Sequence, residues 1–391
     1  MNSSRDLKGR LGFRRLATLV SAWLAFPLCS VGFGADPAPQ LTHLFPSGGQ
    51  RGTTIDVLAL GSFSTWPPAI VESSDGLHWS AAKTKGRLRV RVDADARRGI
   101  HWLRLGNTGG VSASRPFHVG KLREQNESEP NSSPDEAQNL STSRLVMNGR
   151  LKERSDVDVF GVPLIAGETL VAAIRAHEVF RSPMDGILQV LSPRGFVVAQ
   201  SNDEIGLDPR LAYRAETSGV YYVRLFAFSA TPNQTIRYAY GNDYIYRLTL
   251  TTGPFADYLL PLAAPTTSAN LTAAVRGWNL PADASSIDLA THAQPEGASF
   301  RVSRPEWDND LAVERVAARV VLEAELAEPG DRTLRLGTSI SGSLVEKGER
   351  DRYRFDAKKG QAITFAVVSF RLGLLCDPVL RLFDAKGKRL Q

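Results

Sequence analysis

Arg87-Leu88-Arg89-Val90-Arg91-Val92 alternates polar and apolar residues without a break. In a strand this places three arginines on one face and three aliphatic side chains on the other. Parts of Tyr221–Ala227 and Tyr244–Leu250 alternate in the same way. Turn signals such as Gly109-Gly110, Ser192-Pro193-Arg194-Gly195 and Thr217-Ser218-Gly219 separate these short runs. Only Ser133–Leu140 reads as a helical turn. Many short strands punctuated by glycine and proline predict an all-β chain of tandem antiparallel β-sandwiches.

The pattern repeats. Gly149, Asp158, Phe160 and Gly167 recur at one fixed offset as Gly342, Asp351, Tyr353 and Gly360. A fainter repeat precedes each copy: Phe45-Pro46 with Gly61 resembles Leu260-Pro261 with Gly277. The simplest division is an alternation of two unit types. It runs 38–120, 121–253, 254–318 and 319–391, behind a leader over 1–34. The third unit is degenerate. The fourth is truncated, because only 49 residues follow Gly342, while the second unit runs roughly a hundred residues past Gly149.

Composition narrows the function. With 42% hydrophobic and 23% charged residues the chain is ordinary globular material. Its net charge of +6 is concentrated before residue 35, and the mixed remainder is no footprint for nucleic acid. The early charges precede the apolar run Leu16–Cys29 and the small residues Gly32, Gly34 and Ala35, the layout of a secretory signal peptide. The competing reading is a retained membrane anchor, which Pro27 disfavours. Export to the periplasm, the cell surface or the medium is expected, with no stable membrane insertion after cleavage. Loss of Cys29 with the leader leaves Cys376 without an intrachain disulfide partner.

The chemistry-bearing residues are oxygen donors. Glu127-Ser128-Glu129-Pro130-Asn131 is followed by Asp156-Val157-Asp158. Such a set of carboxylates and amides on loops suits a hard cation, Ca²⁺ above all. The alternative is a solvated acidic linker with an Asx-type turn, Asp158 accepting backbone N–H bonds. Seven of nine tyrosines lie within 213–246. Of these Tyr238, Tyr240, Tyr244 and Tyr246 form a candidate ligand-binding surface, unless they simply fill the pleat. The six histidines are scattered, without H-E-x-x-H or a G-x-S-x-G elbow. No catalytic residue is assigned.

The ordered elements E-x-E-P-N, Gly149, D-x-D-x-F, Pro193-x-Gly195 and Gly219-x-Tyr221-x-Val223 resemble the bacterial pre-peptidase C-terminal domain. That family is related to the collagen-binding domain of bacterial collagenases. The resemblance covers 124–252 and, truncated, 320–391. The units before each copy look like immunoglobulin-like TIG modules. The resemblance implies a jelly-roll sandwich and a Ca²⁺ site at Glu127, Glu129, Asn131, Asp156 and Asp158, with Ser132 where an acid or amide is common. In the second copy the linker shrinks to Glu323-Ala324-Glu325, and Glu349 replaces Asp156. Collagen-binding relatives use an exposed tyrosine-rich strand face. The function implied is an exported, non-catalytic binding or adhesion protein, positioned on extracellular protein or polysaccharide. The alternatives are an accessory N-terminal region of a secreted peptidase and a structural spacer.

Overall fold

The computed structural model describes residues 36–231, 237–266, 271–289, 299–326, 332–369, 372–374 and 376–390. The leader expected over 1–34 lies outside them. The alternation at Arg87–Val92 is realised directly: its arginines are exposed, and Leu88, Val90 and Val92 are buried.

Nine strands build the first sandwich: β1 (Gln40–Phe45), β2 (Gly48–Gln50), β3 (Thr54–Ser62), β4 (Ala69–Glu72), β5 (Leu77–Ala81), β6 (Arg87–Val92), β7 (Gly99–Asn107), β8 (Gly110–Val111) and β9 (Arg115–Gly120). They form two sheets, β1-β3-β6-β5 and β2-β9-β7-β4, with β8 paired to β7. This is the strand order of an immunoglobulin sandwich. Leu41, Val57, Val90, Leu103 and Phe117 fill its core. The register of β1 on β3 shifts between Leu41 and His43, and Gly61 lies opposite, where a Cβ would approach Gln40 O to 1.8 Å.

The second sandwich contains β10 (Glu124–Asn126), β11 (Gln138–Asn139), β12 (Leu145–Arg150), β13 (Asp158–Leu164), β14 (Thr169–Arg175), α1 (His177–Phe180), β15 (Met184–Leu191), β16 (Val197–Ser201), β17 (Arg210–Arg214), β18 (Gly219–Ser229) and β19 (Ile245–Thr251). Its sheets run β10-β12-β19-β14-β17 and β11-β13-β18-β15-β16. Apart from β10 and β11, these are the eight strands of a jelly roll. Leu145, Phe160, Leu170, Leu188, Val223 and Leu248 are among the buried side chains between them. The helical turn expected at Ser133–Leu140 is confined to two successive turn bonds, Glu136 N to Ser133 O at 3.0 Å and Ala137 N to Pro134 O at 3.5 Å. The chain then extends, because Gln138 and Asn139 pair with Phe160 and Gly161. The described helix, α1, forms elsewhere and is capped by Asp208, which accepts the N–H groups of Ala176, His177 and Glu178.

The third group comprises β20 (Phe255–Leu260), β21 (Ala263–Pro265), β22 (Thr272–Trp278), β23 (Ser286–Asp288), β24 (Ser299–Val302) and β25 (Leu311–Val316), in sheets β20-β22-β23 and β21-β25-β24. Its core surrounds the fully buried Trp307. Gly277 again lies beside a register shift, between Ala256 and Tyr258. In the last segment, β26 (Arg319–Leu322) pairs in parallel with β28 (Thr338–Ser341), and β27 (Thr333–Leu334) with β29 (Arg354–Phe355). These two pairs repeat the parallel pairs β10–β12 and β11–β13. Val345, Val379 and Leu390 are exposed there.

A buried polar hub joins the first three groups. Asp308 accepts both nitrogens of a fork from Arg144 at 2.6 Å and pairs with Lys121 at 3.2 Å. Asp310 meets His118 at 3.2 Å, Arg175 at 3.7 Å and Arg301. Arg98 donates to the carbonyls of Arg304, Trp307 and Asn309. Burial alone would raise the Asp310 carboxyl, but Arg175, His118 and Arg301 hold it well below its usual range.

Candidate metal centre and ligand face

The site is assembled where β10 ends. Parallel pairing sets Asn126 beside Asn148, so the next residue, Glu127, arrives against Gly149. Only glycine fits there: a Cβ would stand 2.1 Å from the Tyr246 hydroxyl and 2.3 Å from Glu127 Oε2. The Glu127 carboxylate accepts the Arg150 N–H at 2.8 Å and lies 3.2 Å from the Tyr246 hydroxyl oxygen. The same hydroxyl donates to Asp158 Oδ2 at 2.5 Å. The Tyr246 hydroxyl, carried by β19 in the same sheet as β10, therefore lies between Glu127 and Asp158, which begins a strand of the other sheet.

The turn before β13 supplies Asp156. Its Oδ2 accepts the N–H groups of Lys152 at 2.6 Å and Glu153 at 3.1 Å, so the backbone-binding role considered for Asp158 belongs to Asp156. Carboxylate oxygens of Glu129, Asp156 and Asp158 lie within 4.8 Å of one another. Asn131 sits between them in the chain path: its N–H donates to Glu129 Oε2 at 3.2 Å, and its carbonyl accepts the Val159 N–H at 2.8 Å. Asn131 and Asp158 are both 0% exposed. Yet Asn131 Oδ1, Asn131 Nδ2 and Asp158 Oδ1 have no hydrogen-bond partner among the described residues.

The electrostatics match this geometry. Burial, reinforced by Glu127, raises the Asp158 carboxyl well above its usual range. Burial also pushes Glu127 up to about 7, and burial followed by Asp156 raises Glu129. Buried like charges disfavour one another's ionised forms unless a cation is present. Two oxygens on one Ca²⁺, at ~2.3–2.6 Å each, lie at most about 5 Å apart. The three converging carboxylates fit that limit, and Asn131 joins them through its backbone N–H on Glu129. Glu127 stands behind them, its oxygens already engaged. Ser132 is exposed.

The four tyrosines separate. Tyr238 and Tyr240 are exposed, and Tyr244 is half-buried against the core. Tyr246 is fully buried and does not belong to a ligand surface. Strand β19 is covered on both sides, so alternation there does not separate solvent from core. Tyr238 instead packs on Phe226 and Phe228 of β18, with ring centroids 4.8 and 5.8 Å apart. Those two phenylalanines, absent from the tyrosine pattern, complete the aromatic face. Four of the histidines bond backbone carbonyls or the hub: His43 to Arg181 O, His101 to Arg97 O, His177 to Ser182 O and His118 to Asp310.

No family model and no curated protein matches this chain. Several solved structures do. The pre-peptidase C-terminal domain of a Bacillus anthracis collagenase is 11% identical, covering 32% of this chain and 100% of that one, with a TM-score of 0.23. Aeromonas hydrophila PliG, a periplasmic inhibitor of g-type lysozyme, is 9% identical over 33% of this chain and 98% of its own, with a TM-score of 0.21. Bacteroides ovatus SGBP-B, solved with a mixed-linkage heptasaccharide, is 7% identical over 56% of this chain and 76% of its own, with a TM-score of 0.19. Similarity at this level carries nothing beyond the shared β-sandwich architecture. Among the described residues no helix is long and apolar enough to cross a membrane.

Proposed function

We propose that the chain is an exported, non-catalytic binding protein whose second sandwich is a pre-peptidase C-terminal-type module clamped by one Ca²⁺. The observation that carries this reading is the fully buried Asn131, its amide oxygen and nitrogen both unpartnered, beside three converging carboxylates. Buried polar atoms are nearly always satisfied, and a bound cation with its waters would satisfy these. Glu129, Asn131, Asp156 and Asp158 hold the ion, and Glu127 with Tyr246 orients Asp158. The ion ties the 127–131 linker to the mouth of the jelly roll. The aromatic face of Phe226, Phe228 and Tyr238 is offered to extracellular polysaccharide or protein, because aromatic side chains give large contact area at little entropic cost.

Calcium titration calorimetry on the full chain, with melting in calcium and in chelator, tests the clamp. One saturable ion is expected, with a stabilisation of about 4 kcal/mol at a thousandfold excess over Kd. Asp158→Asn should abolish both the heat and the melting increment. Wild-type protein that shows neither heat nor increment rejects the reading.

A further inference from the structure

We infer that the Arg332 guanidinium in the second repeat neutralises Glu323 and Asp351, the counterparts of Glu127 and Asp158, so that this copy holds its carboxylates without metal. The inference rests on the calcium reading only for the identity of the ion in the first copy. The equivalence of the two sites is geometric. Strand β26 pairs with β28 up to Leu322 beside Ser341, which brings Glu323 against Gly342, as Glu127 comes against Gly149. A Cβ at Gly342 would lie 2.4 Å from Glu323 Oε2, against 2.3 Å in the first copy. The turn is reproduced too. Glu349 Oε2 accepts the N–H groups of Val345 and Glu346, as Asp156 Oδ2 accepts those of Lys152 and Glu153. A tyrosine hydroxyl also rests on this glutamate, Tyr353 to Glu323 Oε1 at 2.6 Å, but it comes from the position of Phe160 and not from that of Tyr246.

The decisive difference is a charge. In the first copy Gln138 pairs with Phe160, and its side chain is spent on the linker backbone, accepting from Ser128 N–H at 2.9 Å and donating to Asn126 O at 3.3 Å. In the second, Thr333 pairs with Arg354, so Arg332 occupies the register position of Gln138. Its guanidinium bridges Glu323 and Asp351, the latter at 3.4 Å. Glu323 and Asp351 are the counterparts of Glu127 and Asp158. A fixed cationic side chain therefore compensates the pair that in the first copy has a tyrosine hydroxyl between its members and, among the described residues, no ion pair with a side-chain cation. The linker agrees: with Pro130 and Asn131 gone, a metal would lack the Asn131 amide, and a guanidinium does not need it.

Exchange of the two residues tests the assignment. In calorimetry on the full chain, Asp158→Asn should bind no calcium, showing that the second copy takes none. Gln138→Arg should lower calcium affinity at least tenfold while melting in chelator no lower than wild type. Arg332→Gln should unfold the second repeat at lower temperature, followed by limited proteolysis after residue 319, and Arg332→Lys should restore much of the loss. An Asp158→Asn chain that still takes up one calcium overturns the inference. So does an Arg332→Gln repeat as protease-resistant as wild type. If wild type itself binds no calcium, the clamp in the first copy fails, and the Arg332 assignment stands or falls on the Gln and Lys variants alone.

Discussion

Glu127 shows how a single carboxyl reports on the whole site. Its ordinary value is 4.5, and burial lifts it to about 7 in the fold. A carboxyl raised by folding binds more protons folded than unfolded, so without metal the stability falls as pH climbs from about 4.5 to about 7. The span corresponds to roughly 3 kcal/mol. With calcium bound the carboxylates are held ionised, and stability should rise with pH over the same window as protons cease to compete. Melting at pH 5 and pH 7.5, in chelator and in calcium, should therefore give opposite slopes. A chelated protein that is more stable at pH 7.5 would show that these carboxylates are not short of a cation. Asp158, more deeply buried, acts in the same direction.

At the scale of elements, glycines decide which strands can meet. Gly61 has φ +140°, and its absent Cβ makes room for Gln40 O at the β1–β3 register shift. Gly61→Ala should cost more than about 1 kcal/mol, from strained backbone and steric contact together. Because Gly61 lies in the first sandwich, the calcium-induced melting increment should survive the change. A melting curve identical to wild type would mean that β1 can slide to a new register. The parallel pairs β10–β12 and β26–β28 matter for a different reason. They deliver a glutamate to a glycine in each copy, so a one-residue slip would carry Glu127 and Glu323 to the other face.

Across the molecule, the hub at Asp308 and Asp310 links three groups of sheets that each have a core of their own. Removing one partner from a buried charge network is strongly destabilising, by about 3–5 kcal/mol, since Arg175 and Arg301 would lose the carboxylate they share. Asp310→Asn should lower the melting temperature and split one cooperative transition into two. Asp310 is held below its usual range, so its contribution is present above the unfolded carboxyl value and is lost as pH falls through the folded one. Calorimetric scans of both proteins at neutral pH give the answer, and a single unshifted transition in the variant would rule out the hub as the joint.

Much of this was legible in the chain itself. The β class, the face assignment of Arg87–Val92 and the repeat of Gly149, Asp158 and Phe160 all follow from local periodicity, which depends only on backbone geometry. The five oxygen-bearing residues were likewise visible as a pattern in two parts. Tertiary structure alone decided how they divide. Glu129, Asp156 and Asp158 converge, while Glu127 is drawn to a tyrosine from a distant strand, a contact no local pattern encodes. It also decided that Tyr246 belongs to the interior and not to the aromatic face, because burial of β19 on both sides comes from its neighbours. Arg332 is the clearest case. It lies outside the acidic motif, and only the register of two parallel strand pairs places its charge between Glu323 and Asp351.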